Sequence, residues 1–322
     1  MNLEYEISID PLNKDKYKKD LLSLCELNNE LLRLPKEFIR ISEIITRNTL
    51  KLDFKKISKQ LKVSAGFCVI KNLPLDDNIP ETPTNGIRPS LKSNLSEAII
   101  LGIISAINYR PFSYAQEKNG ALIHEITPIK ERNHSKSSNG TVELDFHTDA
   151  AYLERSIRPN ILALFCLKNS CKTPTKIIQL SAILDHLSDL EIYELMQNNY
   201  LHCPPNTFTD TSPTKGAVLC RHNDRIEITL SSHNTSGFTS LAETSLAKLR
   251  FLAEKYAFCV HTKPGDLVIF NNFRCLHGRG KIKEDKDRWL QRGYGSENLK
   301  SGQILDIGGG TDQVLMDIKQ CL

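Results

Sequence analysis

The chain has 322 residues, of which 40% are hydrophobic and 25% charged, and it carries a formal net charge of +4. This is an ordinary globular composition, and the length suits one large domain or two small ones with a sizeable core. The mild basicity is scattered, which argues against a nucleic-acid surface; its densest run, Lys51 to Lys62, has Lys at helical spacing without interleaved aromatics and reads as a solvated helix face.

In chain order, Met1 to Glu6 lacks the basic-then-apolar pattern of a signal peptide. Residues 13–62 read as helices, with apolar positions at helical spacing in Phe38 to Ile45. Gly66 to Ile70 reads as a first buried strand, and the Pro-, Asn- and Asp-rich residues 73–92 as a long loop. A helix is predicted from about Asn94, a candidate N-cap with Glu97 three residues on. Ala98 to Ile107 is the longest apolar run and is too short to span a bilayer.

Beyond residue 110 short strand-like runs dominate: Ala121 to Ile126, Val142 to Phe146, Ile161 to Leu167, Lys176 to Leu180, Ala217 to Cys220, Arg225 to Leu230 and Leu267 to Phe270. Two helices interrupt them, over about Ala182 to Gln197 and about Leu241 to Tyr256, the second opened by a capping box from Ser240 to Glu243. Many short strands with a few inserted helices predict a mainly β, α+β architecture such as a jelly roll. The polar segment Glu131 to Gly140 reads as a mobile loop. The nine cysteines form no C-x-x-C pair and sit mostly in apolar runs such as Phe165-Cys166-Leu167. They read as reduced core residues of a cytoplasmic protein, not as a disulfide or zinc framework.

The sharpest local signal is Leu144-Asp145-Phe146-His147-Thr148-Asp149. Residues two apart on a strand share a face, so an imidazole and a carboxylate can meet one cation at the strand end. A second His from a distant strand would complete a 2-His-1-carboxylate triad with open positions. His277 is the candidate, at the rim of a strand running into a Gly-containing turn. His222-Asn223-Asp224 is a rival pair, better explained as a hairpin turn. Farther on, Arg288 and Arg292 are four apart and would share one face of a strand; buried there, they need anionic partners. Protein acids could serve, and so could two bound carboxylates, which guanidinium forks match bidentately.

These segments, with Gly66 to Ile70 and Tyr114-Ala115-Gln116-Glu117-Lys118-Asn119-Gly120 to His124, resemble the clavaminate synthase-like Fe(II)/2-oxoglutarate oxygenases, a TauD-related branch that includes the free asparagine and arginine β-hydroxylases. The resemblance spans about residues 66–295. It implies a single oxygenase domain over 1–322, with a helical part at 1–65 and a double-stranded β-helix core with inserted helices at 66–300. It implies that His147, Asp149 and His277 bind Fe(II), that Arg288 and Thr175 hold the cosubstrate 2-oxoglutarate, and that Arg292 holds the α-carboxylate of an amino-acid substrate. Gln116, Glu117 and Glu143 are implied as candidates for the α-amino group, Glu143 by lying on the ligand side of its strand.

The implied reaction consumes O2 and hydroxylates an unactivated carbon of a free L-amino acid or small derived metabolite, releasing succinate and CO2. Desaturation or cyclisation at the same iron is an alternative, and a cupin-like protein that only binds a ligand is another. The branch often carries Glu where this chain has Asp149, and a retained carboxylate argues against halogenation. The arginine-oxidising members use an acidic cluster, whereas Thr229 to Asn234 has no acid, so a neutral polar side chain is expected of the substrate. No nucleic-acid or membrane partner is expected, and the oligomeric state is open.

Overall fold

The computed structural model describes residues 5–27, 35–132, 134–209, 211–283, 287–297, 299 and 315–320. Its strands are β1 (Glu6–Ser8), β2 (Phe67–Lys71), β3 (Arg110–Tyr114), β4 (Ile123–Ile126), β5 (Leu144–His147), β6 (Ile161–Asn169), β7 (Thr175–Gln179), β8 (Tyr200–His202) and β9 (Thr214–Gly216). They continue as β10 (Leu219–His222), β11 (Arg225–Ile228), β12 (Thr235–Gly237), β13 (Phe258–Val260), β14 (Leu267–Asn271), β15 (Cys275–Arg279), β16 (Arg288–Ser296) and β17 (Leu315–Met316). The helices are α1 (Pro11–Leu27), α2 (Pro35–Leu50), α3 (Phe54–Val63), α4 (Leu95–Ala106), α5 (Leu180–Leu184), α6 (Asp189–Leu195) and α7 (Ser240–Tyr256).

Two sheets organise this mixed α/β fold. The major sheet runs β1-β2-β14-β6-β16-β3-β17, with β4 also paired to β16. The minor sheet runs β13-β7-β15-β5. Alternation along each strand assigns one face to helices and one to the opposite sheet. On the minor sheet, Phe146, Ile178 and Leu276 pack with Leu195 of α6 and Leu246 and Leu249 of α7. On the major sheet, α4 covers β16, and a Cβ placed on Gly293 would meet Ile100 at 2.7 Å. Between the sheets, Phe270 of β14 contacts the His277 ring of β15 at 4.4 Å.

All nine residues of β16 are buried, although it carries two Arg and a Gln. Its helix-facing polar groups are satisfied by a closed network. Gln291 donates to Glu97 (3.0 Å) and Glu125 (2.8 Å), and Trp289 donates its indole N–H to Glu125 (2.5 Å). Glu97 in turn accepts from Lys92 (2.6 Å) and Arg88 (2.7 Å). A buried polar network of this kind is tolerated because each member is paired.

Several sequence expectations change here. The helix expected over 182–197 is two helices, because Ser188 forms a capping box with Glu191 and starts α6 afresh. The cap of α7 lies one residue earlier than Ser240: the Thr239 hydroxyl accepts from Ala242 N–H, and Glu243 accepts from Gly237 N–H. Asn94 precedes α4 but does not cap it; its Oδ1 accepts from Arg88. Residues 275–279 are a strand of their own, so His277 sits mid-strand rather than at a turn. His222-Asn223-Asp224 is the β10–β11 hairpin turn, with Asn223 at φ 52°.

Close packing of α4 on α2 depends on Gly102, where a Cβ would lie 2.8 Å from the Ser42 carbonyl oxygen. Gly102→Val is expected to cost about 2–3 kcal/mol by overpacking. A lower urea midpoint with an unchanged slope would show it; an unchanged midpoint would refute it.

Candidate metal centre

His147 ends β5 and His277 lies in β15, and the two are direct cross-strand partners with ring centroids 4.1 Å apart. Asp149 follows two residues beyond the strand. Its backbone is clamped by Asn272, whose Oδ1 accepts from Asp149 N–H (2.8 Å) and whose Nδ2 donates to Asp149 O (2.9 Å). The chain then turns away through Ala150 at φ 56°. This clamp brings Asp149 Oδ1 to 3.4 Å from both His147 Nε2 and His277 Nε2.

The ligand atoms of these three residues lie within 4.8 Å of one another. Their protonation suits a cation. His147 Nδ1 hydrogen-bonds the Asp145 carbonyl at 2.8 Å, so that nitrogen carries the proton and leaves the Nε2 lone pair free. Burial, and then neighbouring His147, push His277 down to about 4, which keeps it neutral. Burial alone would raise Asp149, but the Arg292 guanidinium beside it holds its carboxyl well below the usual range. Two imidazoles and one carboxylate with converging donor atoms form a donor set that fits a divalent first-row metal such as iron(II).

Arg292 lies against the other side of Asp149. Its Nη1 donates to Asp149 Oδ2 at 2.5 Å, and its Nη2 donates to Glu117 Oε1 at 2.6 Å and to His124 Nδ1 at 2.8 Å. The Tyr294 hydroxyl lies 2.9 Å from Asp149 Oδ2 and 3.0 Å from Glu117 Oε2. Both carboxylate oxygens of Asp149 are thus assigned: Oδ1 to the imidazoles, Oδ2 to Arg292 and Tyr294.

A second cationic pocket lies along the same inner faces. Arg288 is two pairs of residues before Arg292 on β16, and Thr175 is two before Ile177, the β7 partner of His277. Arg288 is 3% exposed, forms no ion pair among the described residues, and is pushed down to about 10 by burial. Its Nε and the Thr175 hydroxyl are buried without a hydrogen-bond partner among the described residues. Arg279, the β15 partner of Thr175, donates to the carbonyls of Val142 and Ser138 (3.4 Å for the latter). Burial and nearby Arg288 push it down to about 9. Two buried guanidiniums and a hydroxyl, with no acid paired to them among the described residues, suit a carboxylate ligand.

The sequence candidates therefore separate. His147, Asp149, His277, Arg292 and Glu117 converge, and Arg288 and Thr175 lie beside them. Gln116 turns away, donating to Asp317 (2.6 Å) and accepting from Ile318 N–H (3.1 Å). Glu143 also lies outside the cluster: its half-exposed carboxylate is drawn to the Lys176 ammonium at 2.8 Å. Tyr294 and Arg279 escaped the sequence reading although each is two residues beyond a named candidate, so strand alternation would have found them. Asn272 and His124 carry no such local signal.

Replacing Asn272 by Ala should loosen the Asp149 backbone and weaken Fe(II) binding about 10- to 100-fold, the usual effect of losing a ligand's support. Anaerobic Fe(II) titration checks this, and wild-type affinity in the variant would show that Asp149 is held otherwise.

The chain is similar to amino-acid oxygenases in sequence and in fold. L-asparagine oxygenase of Streptomyces coelicolor is 25% identical over 253 residues, covering 76% of this chain and 75% of the relative. L-ornithine/L-arginine 3-hydroxylase of Catenulispora acidiphila is 25% identical over 279 residues, covering 76% and 80%. In fold, the chain is similar to asparagine oxygenase in complex with Fe(II), 3-hydroxyasparagine and succinate, with a TM-score of 0.85 at 21% identity over 98% of this chain and 99% of that one. It is also similar to the non-haem iron oxygenase OrfP in complex with Fe and alpha-ketoglutaric acid, with a TM-score of 0.81 at 21% identity over 97% and 99%. The taurine catabolism dioxygenase TauD, TfdA family pattern matches residues 46–294, well over half of the sequence, and the chain belongs to that family.

Proposed function

We propose that this protein is an Fe(II)/2-oxoglutarate-dependent oxygenase that hydroxylates an unactivated carbon of a free L-amino acid or a small amino-acid-derived metabolite. The observation that carries the reading is the placing of two buried guanidiniums, Arg288 and Arg292, on one face of β16 beside three convergent metal-ligand atoms. A metal-binding protein without a cosubstrate needs no second carboxylate clamp. Relatives named for asparagine, ornithine, arginine and lysine support an amino-acid substrate. The two facing sheets support a double-stranded β-helix core within one oxygenase domain, and the free cysteines support a reducing, cytoplasmic setting.

His147, Asp149 and His277 would hold iron(II). With 2-oxoglutarate and O2, the bound metal supplies the oxidation of a C–H bond, with release of succinate and CO2. The chain's own residues orient the reactants. Arg288 and Thr175 neutralise and hydrogen-bond the far carboxylate of 2-oxoglutarate. Arg292, whose Nε is buried without a partner among the described residues, takes the substrate α-carboxylate. Glu117, 2.6 Å from the same guanidinium, takes the α-amino group. Fixing both α-substituents aims one side-chain carbon at the metal, and positioning of this kind supplies much of the rate. Lys136, Ser137 and Ser138 of the loop line the mouth and limit water entry.

Succinate formation from 2-oxoglutarate with Fe(II) and ascorbate, measured across the free L-amino acids, tests the reading. At least one amino acid should stimulate it, and His147→Ala should abolish it together with metal binding. If neither Fe(II) nor 2-oxoglutarate binds anaerobically, the reading fails. Arg288→Met should raise KM for 2-oxoglutarate about 10- to 100-fold, the loss of a charged hydrogen-bonding partner, while metal binding persists. An unchanged KM would move the cosubstrate elsewhere.

A further inference from the structure

The cavity in front of Asp149 has two ends. One is the Arg292–Glu117 end, already assigned to the α-carboxylate and α-amino group. The other is lined by Lys136, Ser137 and Ser138 from the loop and by Ser231, His233 and Asn234 from a turn. That turn is fixed beside the metal strand. Ser231 is the bridge partner of His147, and Ser232 N–H donates to Phe146 O at 3.0 Å. Asn234 N–H closes the turn onto Ser231 O at 2.9 Å, and Asn234 O accepts from Cys203 N–H at 2.8 Å. The backbone of 231–234 is therefore fixed, and Ser231, His233 and Asn234 are presented to the cavity.

The acids near this end are already engaged. The acids lining the cavity are Glu117 and Asp149, and both are engaged by Arg292 at 2.6 and 2.5 Å. Asp145, nearby but not among the lining residues, takes the Lys136 ammonium at 2.8 Å. Arg250 stands behind the turn, donating to Thr235 O at 2.6 Å. An ammonium or guanidinium brought here would lose water and find, among the described lining residues, no acid that is not already engaged by a protein cation. Ser, Asn, His and Lys groups can instead donate to oxygen acceptors.

We infer that the substrate's side chain ends in an oxygen acceptor, a carboxamide or a carboxylate, and that the turn 231–234 with Lys136 rejects the cationic side chains of ornithine, lysine and arginine. This rests on the amino-acid oxygenase reading above and selects among the substrate classes that its relatives represent.

The experiment is anaerobic calorimetric titration of the Fe(II)- and 2-oxoglutarate-loaded protein with L-Asn, L-Gln, L-Asp, L-Glu, L-Orn, L-Lys and L-Arg, with succinate formation measured in parallel. One of the first four should bind about 100-fold tighter than any of the last three, the scale of discrimination that unpaired buried polar groups give. Asn and Gln against Asp and Glu separates carboxamide from carboxylate. Asn234→Asp, which keeps shape and adds an anion, should narrow the gap about tenfold in favour of ornithine or lysine. Lys136→Glu should act in the same direction if that variant folds poorly. A cationic amino acid binding as tightly as the others overturns the inference and leaves the oxygenase reading intact. Unaltered preference in both folded variants overturns the role of this end of the cavity. Binding of Fe(II) and 2-oxoglutarate without binding of any amino acid overturns both the inference and the amino-acid part of the reading.

Discussion

A guanidinium taken out of water demands an anion, and an anion demands a cation. Arg292, Asp149 and Glu117 answer one another in the space between the two sheets, with Tyr294 and His124 adding further hydrogen bonds. Arg292 comes from the middle of the major sheet, and Asp149 comes from the end of a minor-sheet strand. The ion pair is thus a tie between layers as well as a feature of the site. It also fixes how Asp149 can serve a metal. With Oδ2 held by Arg292 and Tyr294, Oδ1 alone faces the imidazoles, so the carboxylate would offer a metal one oxygen. The carboxylate being Asp rather than the longer Glu suits this clamp, because a short side chain on a backbone locked by Asn272 has little freedom to swing away.

The spacing of the two arginines carries a second constraint. Four residues of strand span about 13 Å, farther than a single five-carbon dicarboxylate reaches. Under the proposed reading, Arg288 and Arg292 would therefore serve two different carboxylates. Their surroundings differ accordingly. Arg292 has both terminal nitrogens paired within the protein, and a ligand must compete with those partners. Arg288 has no such partner among the described residues, and burial depresses it to about 10. A site with an unmet charge takes its ligand readily, whereas a site already paired takes one only when the geometry is right. The first suits a shared cosubstrate and the second a discriminated substrate.

Much of this was legible in the sequence because strands have a period of two. His147 with Asp149, and Arg288 with Arg292, could be placed on common faces before any fold was known, and each of the eight apolar runs read as a strand holds one, with ends within a few residues. What escaped was decided by tertiary contact. Glu143 shares the parity of His147 but is drawn to Lys176, an ammonium from β7, which lies across β15 and which no local pattern announces. Asn94 has the look of a cap, yet Arg88 claims its oxygen. The helix expected over 182–197 is divided by a capping box whose strength lies in Ser188 and Glu191, two residues that periodicity alone does not weigh. Asn272, the clamp on Asp149, lies 123 positions away in sequence and meets it only because β14 and β5 end at the same place.

β16 combines these demands. One face carries Arg288, Leu290, Arg292 and Tyr294 toward the cavity; the other carries Trp289, Gln291, Gly293 and Gly295 into the α4 network and the helix-side core. No position on this strand faces solvent. An insertion or deletion of one residue would exchange the two faces, putting indole and carboxamide into the cavity and driving two guanidiniums into α4. The strand has no neutral side on which sequence could drift, so variation in this protein must be accommodated elsewhere, in the turns and loops that frame the cavity mouth.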